Sequence, residues 1–141
     1  MNRYIHTWII ALVIFISGGC EKDSLENYRK DFTGNFEFTT IREDLTSVAP
    51  SILDTLYYTG SIEAIYSNRK DLIKINFSSE NSIDALVNTS GSLSLPPVLN
   101  TGRVKTITGI FTDGNSRVRF DYKVSSGSSY SVNHRVEGIR P

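Results

Sequence analysis

Hydrophobic and polar residues alternate along much of this chain, which is the pattern of β-strands that have one buried and one solvent-facing side. The clearest case is residues 117–124, where Val118, Phe120, Tyr122 and Val124 alternate with four charged residues. Because successive side chains of a strand point to opposite faces, the four apolar residues are expected to face a core. This segment therefore predicts an antiparallel strand whose outer face is in water.

Several further stretches repeat this period of two between short turn sequences, so the chain predicts about eight strands. They are expected near residues 35–43, 56–66, 71–78, 83–88, 92–95, 103–112, 116–124 and 129–137. Short links rich in Gly, Asn, Asp and Ser, such as residues 113–116, indicate hairpins between consecutive strands. The predicted fold is all-β, an antiparallel up-and-down meander that forms a small barrel or a flattened two-sheet sandwich. The barrel has the advantage of leaving no free edges.

Aromatic residues occupy many of the predicted inward positions and are expected to fill much of the interior. They are Phe36, Phe38, Tyr58, Tyr66, Phe77, Phe120, Tyr122 and Tyr130. Leu56, Ile62 and Ala64 are likewise expected to face inward from the second strand. The one long link, residues 44–55, contains Pro50 and is either a cover over one barrel mouth or a polar surface loop.

A short helix is predicted before the first strand. Leu25, Tyr28 and Phe32 are separated by three and four residues, which places them on one helical face. Asp23 or Ser24 is available as its N-cap, and Gly34 is expected to end it.

The N-terminal segment has the order of parts of an export signal. Arg3 makes the start basic, and residues 8–16 are nine consecutive apolar residues, far fewer than the roughly 20 that span a bilayer. Small residues at 17–19 then lead into Cys20, the only cysteine in the chain. A lone cysteine in an exported chain has no intramolecular disulfide partner, so a modification of Cys20 would remove an exposed thiol.

This segment resembles a bacterial lipoprotein signal, in which cleavage between Gly19 and Cys20 leaves the cysteine as a lipidated first residue. The resemblance implies a signal peptide over residues 1–19 and a lipidated cysteine with a tether over 20–27. The predicted β-barrel domain then covers residues 28–141. It also implies that the protein binds a membrane through its lipid anchor. The expected membrane is the outer membrane of a Gram-negative bacterium, and the sequence does not distinguish its periplasmic face from its surface face. The alternative is an ordinary secretory signal with a leftover thiol.

Residues 32–36, the Leu-Ser-Leu-Pro of 93–96 and the strand pair through Gly109 and 116–124 resemble small lipocalin-like lipoproteins of Gram-negative envelopes. That loose family has a short N-terminal helix leading into a β-meander. The resemblance implies a non-catalytic domain that binds a small apolar or amphiphilic ligand at a barrel mouth. An interaction module that works through its outer loops is the alternative.

The charge balance argues against nucleic acid as a partner. The chain has 15 Lys and Arg against 15 Asp and Glu, and without residues 1–19 the formal charge is −1. No run of basic residues interleaved with aromatics is present in the sequence, so nothing supplies broad attraction to a phosphate backbone.

Candidate catalytic and metal-binding residues are sparse. His134 is the only histidine after the signal segment, and with Cys20 lipidated no His/Cys cluster remains for zinc. A serine triad would need His134 to meet a serine and an aspartate from distant parts of the chain. Glu63 and Asp121 are expected to point outward as solvated charges. The sequence therefore predicts no catalytic residues, no metal site and no cofactor.

Residues 126–130, Ser-Gly-Ser-Ser-Tyr, resemble the Ser-Gly-x-x-Tyr motif of envelope lipoproteins that inhibit lysozyme. The resemblance implies that Ser126 and Gly127 form a contact loop that enters the cleft of a lysozyme and is braced by Tyr130. For an interaction module of another kind, the expected partner is an envelope protein. A Ser/Gly turn before an inward tyrosine gives the same residues without any partner.

Two tripeptides, residues 23–25 and 54–56, resemble a short O-glycosylation acceptor of some Gram-negative bacteria. The resemblance implies that both sites are exposed to solvent.

Overall fold

The chain folds into a closed eight-stranded barrel. The computed structural model describes residues 28–45, 51–97, 103–126 and 130–141, with the backbone alone for residues 51, 52, 103, 104, 126 and 130. A 3₁₀ helix (Tyr28–Phe32) precedes β1 (Gly34–Asp44), β2 (Ser51–Ala64), β3 (Leu72–Asn76), β4 (Ser82–Val87), β5 (Ser92–Ser94), β6 (Arg103–Thr112), β7 (Arg117–Ser126) and β8 (Tyr130–Ile139). Each strand pairs antiparallel with the next, and β8 pairs with β1. The predicted up-and-down barrel is confirmed, and the sandwich alternative is wrong.

The alternation in β7 places its side chains as the sequence predicts. Val118, Phe120 and Tyr122 are buried, and Val124 is half-buried against the same core. On the outer face, Arg119 donates to the Glu137 carboxylate of β8 at 2.8 Å. An exposed pair of this kind contributes little to stability, so the buried face is what holds the strand.

Side chains fill one half of the barrel. Phe36, Ile73, Ile75 and Phe77 have no exposed surface and belong to one continuous cluster of buried residues. Gly138 makes room for this packing, because a Cβ atom there would come within 2.5 Å of the Phe38 ring. The prediction that aromatic residues occupy much of the interior is confirmed for this half.

The 3₁₀ helix covers the end of the barrel at which β1 begins. The ring of Phe32 lies 4.8 Å from that of Phe111, and the Tyr28 hydroxyl donates to the Val87 carbonyl at 2.9 Å. Arg140, just after β8, donates to the carbonyl oxygens of Asp31 and Thr33 at 3.2 and 3.0 Å. We call this the capped end, and the opposite end, where β1 and β7 finish, the far end.

Arg29 ties the 3₁₀ helix to the link between β2 and β3. Its side chain is buried, and Nη1 donates to the carbonyl oxygens of Ile65 at 2.7 Å and of Arg69 at 3.0 Å. A guanidinium can satisfy several carbonyl oxygens at once because its donors are fixed in one plane. Arg29 therefore fixes the position of the residues that precede the barrel.

The second strand departs most from the sequence prediction. β2 begins at Ser51, so a long link over residues 44–55 is wrong, and the part that remains includes residues 46–50, which lie outside the described residues. Tyr66 is 99% exposed because β2 ends at Ala64, and Leu56 is 38% exposed although it faces inward. Alternation predicts which face a residue takes, but not whether anything covers that face.

The predicted N-terminal helix is observed only as the 3₁₀ turn that ends at Phe32, and β1 already begins at Gly34. Its proposed N-cap and Leu25 lie outside the described residues. The expected outward positions of Glu63 and Asp121 are confirmed, since both side chains are exposed.

Replacing Arg29 with alanine is expected to lower the free energy of unfolding by about 2 kcal/mol, because charge-assisted hydrogen bonds to backbone carbonyl groups are lost. Urea denaturation followed by circular dichroism measures this change. Lys30→Ala, at the exposed neighbouring position, is the matched control and should leave stability unchanged. Equal stabilities of the two variants would contradict the tying role of Arg29.

Candidate binding site

The strands of the barrel differ in length, and this leaves one side of its wall incomplete. β2 has 14 residues and β6 has 10, whereas β3, β4 and β5 between them have 5, 6 and 3. β3 pairs only with Ser61 to Ala64 of β2, and β5 pairs only with Gly109 and Ile110 of β6. Within the described residues, 51–60 of β2 and 103–108 of β6 therefore have no strand on this side.

We call this region the side gap. In the order of the barrel, β2 and β6 are four strand spacings apart, with β3, β4 and β5 between them. Beyond the ends of these three short strands, the missing part of the wall therefore corresponds to about 19 Å around the barrel. It lies on the far-end half of the barrel, because the pairing of β2 with β3 is next to the link that Arg29 holds.

The inner wall facing the side gap is mainly apolar. Strand registers place Leu56 and Tyr58 of β2, Ile107 of β6 and Val124 of β7 on the inner side of the sheet. Leu56 remains 38% exposed, and Tyr58 and Val124 are half-buried. Apolar surface that stays partly open inside a concave wall is typical of a ligand site.

Phe77 separates the filled half of the barrel from this inner wall. Its ring is fully buried and lies edge-on to Phe120 at 5.5 Å, to Tyr122 at 6.3 Å and to His134 at 6.1 Å. The turn that follows β3 carries Phe77 inward, so this ring closes the floor of the site. A ligand would rest on the floor and would not enter the filled half.

Arg42 and His134 lie side by side on the same inner wall. Arg42 of β1 lies directly opposite His134 of β8 in the strand register, and the His134 ring is tilted on Tyr122 at 5.9 Å. Burial lowers the pKa of His134 below its ordinary value of 6.5, and the charge of Arg42 lowers it further. Both effects favour the neutral form of the His134 ring.

Arg42 is the more available cation. Its side chain is exposed, and it forms no ion pair with any residue in the described ranges. It is one of several charged residues on this side, since the strand registers also place Asp44 of β1, Asp54 of β2 and Lys105 of β6 there. A wall that combines apolar and charged side chains suits a ligand with an apolar body and a charged head group.

The residues that the sequence singled out do not meet at this site. Gly19, Cys20 and Gly127 lie outside the described residues. The backbones of Ser126 and Tyr130 pair with each other at the far end of the β7–β8 hairpin. Of the two glycosylation-like tripeptides, the described one has Thr55 exposed, on strand β2 and not in a loop.

In the described part of the chain, no group of three or more His, Cys, Asp or Glu that could hold a metal ion is found. His134 has aromatic rings and a cation as neighbours. None of the described helices is long and apolar enough to span a bilayer.

Sequence reasoning missed Arg42 and Leu56 as site residues. Arg42 lies at the end of an alternating strand, where a charged residue at an inward position looks like a solvated strand end. Its parity with Phe36 and Phe38 was the available signal, since residues separated by even numbers share a face.

His134 is expected to make folding stability sensitive to mild acid. Because its pKa is lower in the folded than in the unfolded protein, the unfolded state takes up the proton first as pH falls. The contribution of neutral His134 is complete above about pH 6.5 and is lost as the pH falls through the folded pKa. Urea denaturation from pH 7.5 to 5 measures it.

His134→Asn is the reference for that experiment, since carboxylates that titrate in the same range affect both proteins equally. The free energy of unfolding should fall more steeply in the unmodified chain than in this variant. Parallel pH curves would show that His134 has an ordinary pKa.

Comparison with known proteins gave no match, either to a protein-family model or to a curated protein. The candidate site therefore rests on the strand registers, burial and charges described above.

Proposed function

We propose that this protein is a lipid-anchored component of a bacterial envelope whose barrel is a non-catalytic binding module. Its ligand would be a small apolar or amphiphilic molecule bound at the side gap. The observation that carries this proposal is the incomplete wall, which leaves an apolar inner face with Leu56 partly exposed and Arg42 beside it. A small eight-stranded barrel is compatible with a lipocalin-like domain.

The anchor rests on the sequence of the first 27 residues. A lipidated Cys20 would be eight residues from Tyr28, at most about 28 Å of extended chain. Since Tyr28 and Arg29 are fixed at the capped end, that end would lie near the membrane. The side gap and the far end would then face away from it. More than one acyl chain on the cysteine would make this attachment stable.

The size of the ligand follows from how the interior is divided. Phe77 and the fully buried side chains beyond it leave no room for a deep calyx in the capped half. The available contacts are those of the inner wall facing the side gap, where Arg42 offers a positive charge for an anionic head group. A single-chain amphiphile meets both conditions better than a bulky, wholly apolar molecule.

An interaction module is the second candidate, and one observation favours it. The backbones of Ser126 and Tyr130 pair at the far end of the barrel, where β7 ends and β8 begins. This end of the hairpin would face away from the proposed tether. The partner would then be an envelope protein or, as the resemblance suggests, a lysozyme.

The anchor is tested by labelling cells with an alkyne analogue of palmitate. The protein is expected to take up the label in its unmodified form and to lose it in Cys20→Ser, because no other residue can be the lipidated first residue. Ser17→Ala, which keeps a small residue near the cleavage site, should remain labelled. An intact mass that shows a free thiol at Cys20 would refute the anchor.

The ligand site is tested by titrating residues 21–141 with N-phenyl-1-naphthylamine, a neutral probe that fluoresces in apolar surroundings. Leu56→Gln is expected to weaken binding about fivefold or more, because it removes apolar contact area at a partly exposed position. Ile110→Gln is the control, since Ile110 is 45% exposed but lies on β6 with the opposite parity to Ile107, on the outer face.

The absence of saturable probe binding, or equal losses in the two variants, would remove the ligand site. Co-purification from envelope extracts then distinguishes the second candidate. A stoichiometric protein partner that is lost with Ser126→Arg would support the interaction module.

A further inference from the structure

A row of polar side chains crosses the outer face of four consecutive strands. Asn35 of β1 pairs with Ser61 of β2, Ser61 with Asn76 of β3, and Asn76 with Ser82 of β4. We call these four residues the polar row. Directly paired residues point to the same face of a sheet, so two amides and two hydroxyls stand side by side over about 14 Å, three strand spacings.

The polar row forms one side of a groove with a volume of about 500 Å³. The other lining residues are 78–81, in the turn that joins Asn76 to Ser82, and 58–60 of β2. This volume is within the range of about 300–1,000 Å³ found for small-molecule sites. The groove lies outside the wall, whereas the proposed apolar site lies inside it.

Hydrogen bonds hold the polar row and the turn after β3 in place before any ligand binds. The Asn76 amide donates to Ser61 Oγ at 2.9 Å and to Glu63 Oε1 at 3.1 Å. In the turn, the buried Ser78 hydroxyl accepts from the Asn81 backbone at 2.9 Å and from its side-chain amide at 3.0 Å. Side chains that are already fixed lose less conformational entropy on binding.

Several polar groups of the groove remain available to a ligand. The side chains of Asn35 and Ser82 are exposed and form no hydrogen bond with any described residue. The side-chain oxygen of Asn76, Oδ1, accepts no hydrogen bond from the described part of the chain. Amides and hydroxyls each offer a donor and an acceptor, which is also what sugar hydroxyls offer.

Charge at the groove argues against anionic ligands. The lining contains one ionisable carboxylate, that of Glu80, and no Lys, Arg or His. A phosphate, sulfate or carboxylate group would meet no cation there and would be repelled by Glu80. The chemistry therefore suits a neutral molecule rich in hydroxyl groups.

We propose that this groove binds a neutral saccharide, a short oligosaccharide laid along the polar row. Asn35 and Asn76 are the residues that contact its hydroxyl groups, and Glu80 sets the preference for an uncharged chain. The proposal depends neither on the lipid anchor nor on an apolar ligand at the side gap.

The test uses protein purified from cells that express the full-length chain, kept in lauryldimethylamine oxide because alkyl glycoside detergents would compete. Isothermal titration with maltotriose, cellotriose, xylotriose and chitotriose is expected to show saturable binding of at least one of them. Asn35→Ala should weaken that binding about fivefold, the effect of one lost hydrogen bond. Asn76→Ala should weaken it more, since it also releases Ser61.

Asn68→Ala is the matched control, because Asn68 is an exposed asparagine in the link between β2 and β3 at the capped end. The affinity of the Asn68→Ala variant for the saccharide should equal that of the unmodified protein. Circular dichroism checks that all three variants are folded. A sulfated form of the bound oligosaccharide should bind more weakly than its neutral parent.

Three results would overturn the proposal. They are no binding of any of the four neutral oligosaccharides, binding that survives both Asn35→Ala and Asn76→Ala, and tighter binding of the sulfated form. Naphthylamine binding by Asn35→Ala separates this site from the apolar one, since the saccharide site can fail while the probe site remains.

Discussion

The unequal lengths of its strands are the constraint on which the rest of this structure depends. In a closed barrel each strand must find hydrogen-bond partners on both sides. β3, β4 and β5, with 5, 6 and 3 residues, provide those partners to β2 and β6 over only part of their length. The ring is therefore complete in the capped half alone, where the core is also most fully packed. The other half keeps a five-stranded curved wall with one side missing.

The turn after β3 is where the two halves meet, and it serves both faces of the wall. On the inside it carries Phe77, whose ring packs against Phe120 and closes the filled half. On the outside its Ser78 and Asn81 form a hydrogen-bonded rim beside the polar row. The same alternation of inward and outward residues thus produces an apolar surface within the wall and a hydroxyl- and amide-rich surface on its outer face. Changes in this turn would affect both.

The sequence predicted the strands well wherever burial imposes a pattern. All eight observed strands overlap the predicted ones, and the inward residues of β7 are those that alternation selects. The start of β2 was missed because residues 51–55 lie along the side gap, where no burial requires regular alternation. Tyr66 was assigned to the core because it continues a pattern that the chain leaves after Ala64. The alternation of hydrophobic and polar residues does not by itself show where a strand ends.

The candidate sites were less predictable because they depend on register. Asn35, Ser61, Asn76 and Ser82 are far apart in sequence, and each alone looks like an ordinary outward residue of a strand. Only the pairing of four strands puts them in one row. Arg42 and His134 likewise become neighbours through the pairing of β1 with β8, the contact that closes the barrel. That contact joins residues about 90 positions apart, which no local pattern in one sequence encodes.

Stability and binding are divided between the two ends of the barrel. The capped half holds the continuous core and the contacts of Arg29 and Arg140, so its hydrogen bonds are expected to open only with global unfolding. The far-end half relies on strands that are paired on one side only at its margins, with Leu56 and Arg42 left open to solvent. Local opening at these margins costs less free energy than opening of the core. A ligand or partner that binds there can therefore order the weaker half without disturbing the stronger one, to which the chain before Tyr28 is attached.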